Sequence, residues 1–200
     1  MIEQNKEILP DLEILNKLSF KTSLGKSTNK LKITPDVTKI VEADAHSFET
    51  VSTSIQIPNI YNFRIKTPDS IRRKVERHIE LRFQSVFNDI VGLRIKVPNY
   101  QIEFPEYYRV VDMTRGKAND DGYRAIHLYY KKDNFHYQVE IQLWSEEDWQ
   151  FNEWTHVYGY KYLSSEVLLK LRDLYDNDEI RTYQEYAERV KMYVQNRNEL

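Results

Sequence analysis

Two carboxylates, Asp89 and Glu140, each lie in or beside an apolar, β-branched stretch of the 200-residue chain. One acid from each of two strands is an arrangement by which a sheet holds Mg²⁺ beside a polyphosphate. Asp89 opens the run to Gly92 and Arg94. Strict alternation puts Asp89 and Arg94 on opposite faces, so either Asp89 precedes the strand or Gly92 marks a bulge. Glu140 is central in Phe135–Trp144. There Tyr137, Val139, Ile141 and Leu143 form a core face, and His136, Gln138, Glu140, Gln142 and Trp144 a second face, expected to be open. Taken singly, Asp89 also reads as a turn acid and Glu140 as one residue of a solvated edge strand. Two close acids repel, so neutralising one should leave stability unchanged or raised.

Cations precede the first acid. Arg64 and Lys66 lead into a helix that carries Ser70 and Lys74 on one face. The free N–H groups at that helix start attract anions, which makes a cradle for a triphosphate, or a plain solvated basic helix. Downstream, alternation places Tyr123 and His127 of Gly122-Tyr123-Arg124-Ala125-Ile126-His127 together. A tyrosine at a strand mouth can stack a base or simply fill the core. Gly25-Lys26-Ser27-Thr28 imitates the end of a phosphate-binding loop, but Phe20 stands where that loop needs its first glycine.

These residues need elements to position them. Residues 1–60 read as helical, with Thr34-Pro35-Asp36 starting a helix that carries Val37, Ile40, Val41 and Phe48. Thr67-Pro68-Asp69 repeats the device before Ile71, Val75 and Ile79. Asp89–Val97, Tyr107–Asp112, Gly122–Tyr130 and Phe135–Trp144 read as strands. Ser145 with Glu146, Glu147 and Asp148 caps a helix to Tyr160, whose stripe of Trp149, Glu153, His156 and Tyr160 is expected to be a packing face. Leu168–Leu174 and Ile180–Val194 return to helix. The class is α+β (α/β): a mixed sheet of about five strands flanked by helices, with helical extensions at both ends.

Composition limits the function. There is no cysteine, so disulfides and thiolate sites are excluded. A net charge of −2 argues against a generally basic coat. Yet Lys17, Lys21, Lys26, Lys30, Lys32 and Lys39 face Asp36 alone among the acids between residues 15 and 40, a segment fit for a nucleic-acid stem or for balancing the acidic tail. Mean hydropathy is −0.69, and no run has the roughly 20 apolar residues of a membrane helix. Met1–Pro10 lack a secretory signal, so a cytoplasmic protein with no membrane partner is expected.

In order, Arg64-x-Lys66-x-x-x-Ser70-x-x-x-Lys74, Asp89-Ile90-Val91-Gly92-Leu93-Arg94, Gly122-Tyr123-Arg124 with His127, Glu140-Ile141-Gln142, and Trp149, Glu153 and His156 resemble the synthetase domain of RelA/SpoT homologues, over roughly residues 60–162. No His-Asp dipeptide of the family's hydrolase domain occurs. The resemblance implies a nucleotidyltransferase-like synthetase fold in a single domain over 1–200: a helical N-terminal segment over 1–60, a catalytic core over 61–162 and C-terminal helices over 163–200. It implies a pyrophosphokinase moving the β,γ-diphosphate of ATP to the ribose 3′-hydroxyl of GDP or GTP. Arg64, Lys66, Ser70, Lys74 and Arg94 would hold ATP. Asp89 and Glu140 would bind Mg²⁺, with Glu140 also activating the hydroxyl. Tyr123, His127 and Gln142 would hold the acceptor.

Trp144 stands where the family has arginine, and Asn119-Asp120-Asp121 where it has Lys-Pro-Asn, with Lys117 displaced. Both changes remove positive charge on the acceptor side. The acceptor therefore stays open between a guanine nucleotide and the 3′ end of tRNA, the target of a toxic small-synthetase branch that blocks translation. A homo-oligomer, a neutralising partner protein and a non-catalytic nucleotide-binding module are further expectations.

Overall fold

The computed structural model describes residues 8–28, 31–78 and 80–197. Ile79 and Lys30 lie outside them. The class is α+β as expected: a mixed five-stranded sheet flanked by helices, with strand order β1-β2-β5-β4-β3. The strands are β1 Tyr61–Ile65, β2 Val91–Val97, β3 Arg109–Asp112, β4 Ile126–Tyr130 and β5 Val139–Ser145. The chain divides into two compact units.

The first unit comprises Met1–Ile95, Gln101–Val111 and His127–Leu143. It holds nearly all of the sheet with α1 (Leu12–Leu18), α2 (Pro35–Ser52), α3 (Pro68–His78) and α4 (Phe83–Val86). Thr34 caps α2 by accepting from the Val37 N–H, with Pro35 in the first turn, as its sequence predicts. Val41, Ala45, Ile71, Val75 and Phe83 pack with Ile90 and Tyr137 into one core.

Strand β1 has no counterpart in the sequence reading, which took Arg64 and Lys66 simply as the approach to a helix. It pairs antiparallel with β2, Arg64 opposite Gly92 and Ile65 opposite Val91. Strand β2 begins at Val91, so Asp89 sits in the turn before it and no bulge is needed. Strand β5 begins at Val139, not Phe135. The Tyr137 N–H donates to the Phe20 carbonyl and the Thr22 N–H to the Phe135 carbonyl, so the N-terminal segment takes the pairing that the sheet would have used. The second face of β5 is not open. The strand is buried throughout because it lies in the middle of the sheet, not at its edge.

The second unit comprises Lys96–Tyr100, Asp112–Ile126 and Trp144–Leu200. It holds α5 (Glu146–Trp154), a π-helical turn Thr155–Gly159, α6 (Tyr160–Tyr162), α7 (Ser165–Asp176) and α8 (Tyr183–Arg197). Ser145 caps α5 as expected, accepting from the Asp148 N–H. Phe151, Leu168, Leu171, Ile180, Tyr186 and Val190 form its core. The expected packing stripe does not hold. Phe151, Asn152, Thr155 and Gly159 are buried, whereas His156 and Tyr160 are exposed, because Phe151 packs into the core with Leu168, Leu171 and Tyr186 and sets the buried side of the helix. Residues 122–125 are irregular chain, not the start of β4. Asn152 occupies both backbone groups of Arg124, donating to its carbonyl and accepting from its N–H. Among the described residues no helix is long and apolar enough to cross a membrane.

Candidate active site

In the first unit, the end of β1 and the turn before β2 bring Lys66 to Asp89, their Nζ and Oδ2 atoms 2.6 Å apart. Lys74 of α3 reaches Asp89 Oδ1 at 2.9 Å and Asn88 Oδ1 at 2.7 Å. Burial lowers the Lys66 pKa against the opposing pull of Asp89. Ser70, on the first turn of the same helix, is exposed and accepts from Thr67 Oγ1 at 3.0 Å.

Glu140 is 5% exposed and its oxygens are fully engaged. Tyr129 donates to Oε1 at 3.0 Å and His127 Nδ1 lies 3.2 Å from it, while Gln142 donates to Oε2 at 2.9 Å and Arg64 approaches at 3.3 Å. Gly92 makes room for that arginine: a Cβ there would lie 2.9 Å from Arg64 Nε. Arg94 donates to Gln142 Oε1 at 3.4 Å. Burial alone would raise the Glu140 pKa. The hydrogen bond and charge of His127, then Arg64 and Tyr129, outweigh burial and hold it at about 2.

The two acids belong to one network. Asn88 accepts from Lys74 and donates at 3.4 Å to the Tyr129 hydroxyl, which donates to Glu140. Burial and the Glu140 charge raise the Tyr129 pKa, so this hydroxyl stays protonated. Arg64, Lys66, Lys74, Asp89, Arg94, His127, Glu140 and Gln142 are thereby brought together, and Ser70 stays outside the hydrogen bonds. Sequence reasoning missed Asn88 and Tyr129. Tyr129 is two residues from His127 on the same strand face, and that alternation was the available signal.

Tyr123 belongs to the second unit. It is 7% exposed and packs edge-to-face on Trp144, whose Nε1–H donates to its hydroxyl at 2.8 Å. Lys117 Nζ lies 4.8 Å over the ring.

The donor set suits Mg²⁺, which takes one or two carboxylates together with substrate phosphates. Asp89 and Glu140 are carboxylate oxygen donors that now meet ammonium and guanidinium groups. Among the described residues no group of three or more His, Asp or Glu side chains could hold a metal alone.

No protein-family model and no curated protein sequence matches the chain. Among solved structures it is similar to small alarmone synthetase 1 of Bacillus subtilis bound to its product pppGpp, at 18% identity over 82% of this chain and 90% of that one, TM-score 0.42. It is similar to small alarmone synthetase 2 of the same organism, at 19% over 82% and 96%, TM-score 0.42. A GTP pyrophosphokinase family protein of Streptococcus pneumoniae matches at 18% over 78% and 92%, TM-score 0.37.

Proposed function

We propose that this chain is a pyrophosphokinase that moves the β,γ-diphosphate of ATP to the ribose 3′-hydroxyl of GDP or GTP, giving ppGpp or pppGpp and AMP. The observation that carries the reading is the hydrogen-bonded path from Lys66, Lys74 and Asp89 through Asn88 and Tyr129 to Glu140. Transfer of this kind needs positioned cations and anions more than covalent chemistry. Lys66 and Lys74 neutralise the donor polyphosphate, while Arg64 and Arg94 offer planar guanidinium groups to the rest of ATP. As the acceptor oxygen bonds to the β-phosphorus, the bond to the α,β-bridging oxygen breaks and AMP leaves with that oxygen.

Asp89 and Glu140 would hold Mg²⁺, which supplies charge neutralisation at the phosphates when bound. The Glu140 pKa is depressed by His127 and Arg64, so once cations shift onto phosphate the carboxylate accepts from the acceptor hydroxyl, orients it and takes its proton as the bond to phosphorus forms. Cations that move onto phosphate release it for that role.

Lys21, Lys26, Lys32 and Lys39 are all exposed, which favours a second acceptor, the 3′ end of tRNA. Lys30 of the same segment lies outside the described residues. Incubation with γ-labelled ATP, Mg²⁺ and either GDP, GTP or bulk tRNA tests both. Label on the nucleotide supports the first reading and label on tRNA the second. Label on neither, with ATP bound, would overturn the enzyme reading in favour of a binding module.

A further inference from the structure

Five residues, one from each strand, make a line of contacts across the sheet in strand order. Arg64 of β1 stands opposite Gly92 of β2 and reaches past it to Glu140 of β5. Tyr129 of β4 donates to Glu140 from the other side, and Arg109 of β3 lies on the Tyr129 ring, its guanidinium carbon 4.1 Å from the centroid. All five belong to the first unit. Glu140 is thus held from two sides by groups of different chemistry.

The two holds fall on different oxygens. Oε2 accepts from Arg64 at 3.3 Å and from the Gln142 amide at 2.9 Å. The Arg64 contact is long and its side chain is 37% exposed, so an incoming polyphosphate can draw the guanidinium away. Oε1 accepts from the Tyr129 hydroxyl at 3.0 Å and has His127 Nδ1 3.2 Å away. Tyr129 is buried and, as a phenol, uncharged at neutral pH, so phosphate does not compete for it as it does for a cation.

A phenol has one hydrogen to give. Asn88 Nδ2 donates to the same oxygen at 3.4 Å, which occupies a lone pair and leaves that hydrogen for Glu140. The stacked Arg109 fixes the plane of the ring. Packing beneath Arg109 asks only for the ring. The hydroxyl is spent on the carboxylate.

We propose that Tyr129 is a positioning residue of the transfer: it pins Oε1 of Glu140 and leaves Oε2 as the oxygen that meets the acceptor hydroxyl. For the reaction itself this rests on the pyrophosphokinase reading. ATP draws Arg64 off Oε2, and Tyr129 keeps the carboxylate from turning with it. Oε2 then takes the proton of the 3′-hydroxyl. The hydroxyl oxygen uses the freed electron pair to bond to the β-phosphorus, and the α,β-bridging oxygen leaves with AMP and the pair of the broken bond.

Tyr129→Phe removes one oxygen and keeps the ring under Arg109. Its kcat should fall about tenfold or more, as for a lost hydrogen bond to an ionised group, with KM for ATP and for the acceptor within about twofold of wild type. Arg64→Gln, on the other oxygen, should instead raise the KM for ATP. An unchanged kcat in Tyr129→Phe, or a loss carried by KM, overturns the assignment. So does a fall in kcat at constant KM in both variants, which would make the two oxygens equivalent.

Urea unfolding tests the same contact without turnover. Tyr129→Phe is introduced into wild type and into Glu140→Gln, and the shift in unfolding midpoint is compared. The shift should be clearly smaller in Glu140→Gln, where the phenol loses an amide partner rather than a carboxylate. Equal shifts mean that the hydroxyl does not act on Glu140, and the pin is overturned. If Glu140→Gln does not fold, Glu140→Asp, whose shorter side chain draws the carboxyl away from the hydroxyl, replaces it with the same two outcomes. If wild type labels no acceptor yet the shifts differ, the pyrophosphokinase reading fails and the pin on Oε1 stands.

Discussion

Two clusters of paired charges use similar residues for opposite ends. In the first unit, Lys66, Lys74, Arg64 and His127 surround Asp89 and Glu140, and the partners come from distant stretches of the chain. In the second unit, Lys117 pairs with Asp121, Arg124 with Asp120, and Asp120 accepts from the Gly122 N–H, all within a few residues of one turn. Local pairs satisfy a turn and leave nothing for a ligand. Pairs across elements hold opposite charges that a polyphosphate can rearrange. The same distinction separates substitutions that should cost turnover from those that should cost stability.

The largest effect is expected from Glu140→Gln. Transfer should fall about 100- to 10,000-fold, the usual span for losing a positioned ionised group. Stability should fall as well, contrary to the expectation of relieved repulsion, because Glu140 is surrounded by cations and donors rather than by another acid. Its depressed pKa means that its contribution is present above about 4.5 and lost as pH falls toward about 2. Wild type should therefore lose more stability than the variant over that window in acid-unfolding curves. Parallel curves would remove the charge network from the account.

Gly122→Ala should come next, and on stability alone. Gly122 has φ +79°, and a Cβ would lie 2.6 Å from Arg172 Cβ. Strain and overpacking together cost about 2–4 kcal/mol, read in urea unfolding. Residual folded protein should retain ATP binding. A variant as stable as wild type would mean that the turn is not held as described.

Four of the five strands and the capped helices were legible because they follow periodicity and residue type. Thr34-Pro35-Asp36 and Ser145 declare their helices locally. Asp89, Lys66, Lys74 and Glu140 each read singly as ordinary turn, helix or edge-strand charges, and only their order along the chain, which resembles the RelA/SpoT synthetase domain, singles them out. What stayed hidden depends on partners far along the chain. Phe135–Tyr137 has strand composition but bonds to Phe20 and Thr22. Strand β1 is five residues whose pairing with β2 no local pattern announces. Tyr129 looks like any core tyrosine until Asn88 and Glu140 meet at its hydroxyl.

Tyr123→Phe sharpens the comparison at a single oxygen. The Trp144 indole N–H, fully buried, would lose its acceptor, at a cost of about 1–2 kcal/mol. The ring itself remains for any base that stacks on it, so the acceptor KM should hold while Tm falls. A KM rise without a Tm change would assign the hydroxyl to substrate rather than to Trp144.

The smallest effect is expected from Lys117→Ala, and it discriminates most sharply between the clusters. Lys117 Nζ is 2.7 Å from Asp121 Oδ2 and 4.8 Å above the Tyr123 ring, so it resembles Lys74 in having both an acid and a second neighbour. Its acid, however, is four residues away on the same turn, and its side chain is 32% exposed. Water and salt screen such a pair, so its loss should cost about 0.5 kcal/mol or less, and less still at high salt. Turnover should stay within about twofold, whereas Lys74→Ala, with Asp89 and Asn88 as distant partners, should raise the KM for ATP severalfold. A large loss of turnover in Lys117→Ala without a fall in Tm would show that a locally paired cation also serves substrate, and the division between turn charges and site charges would fail.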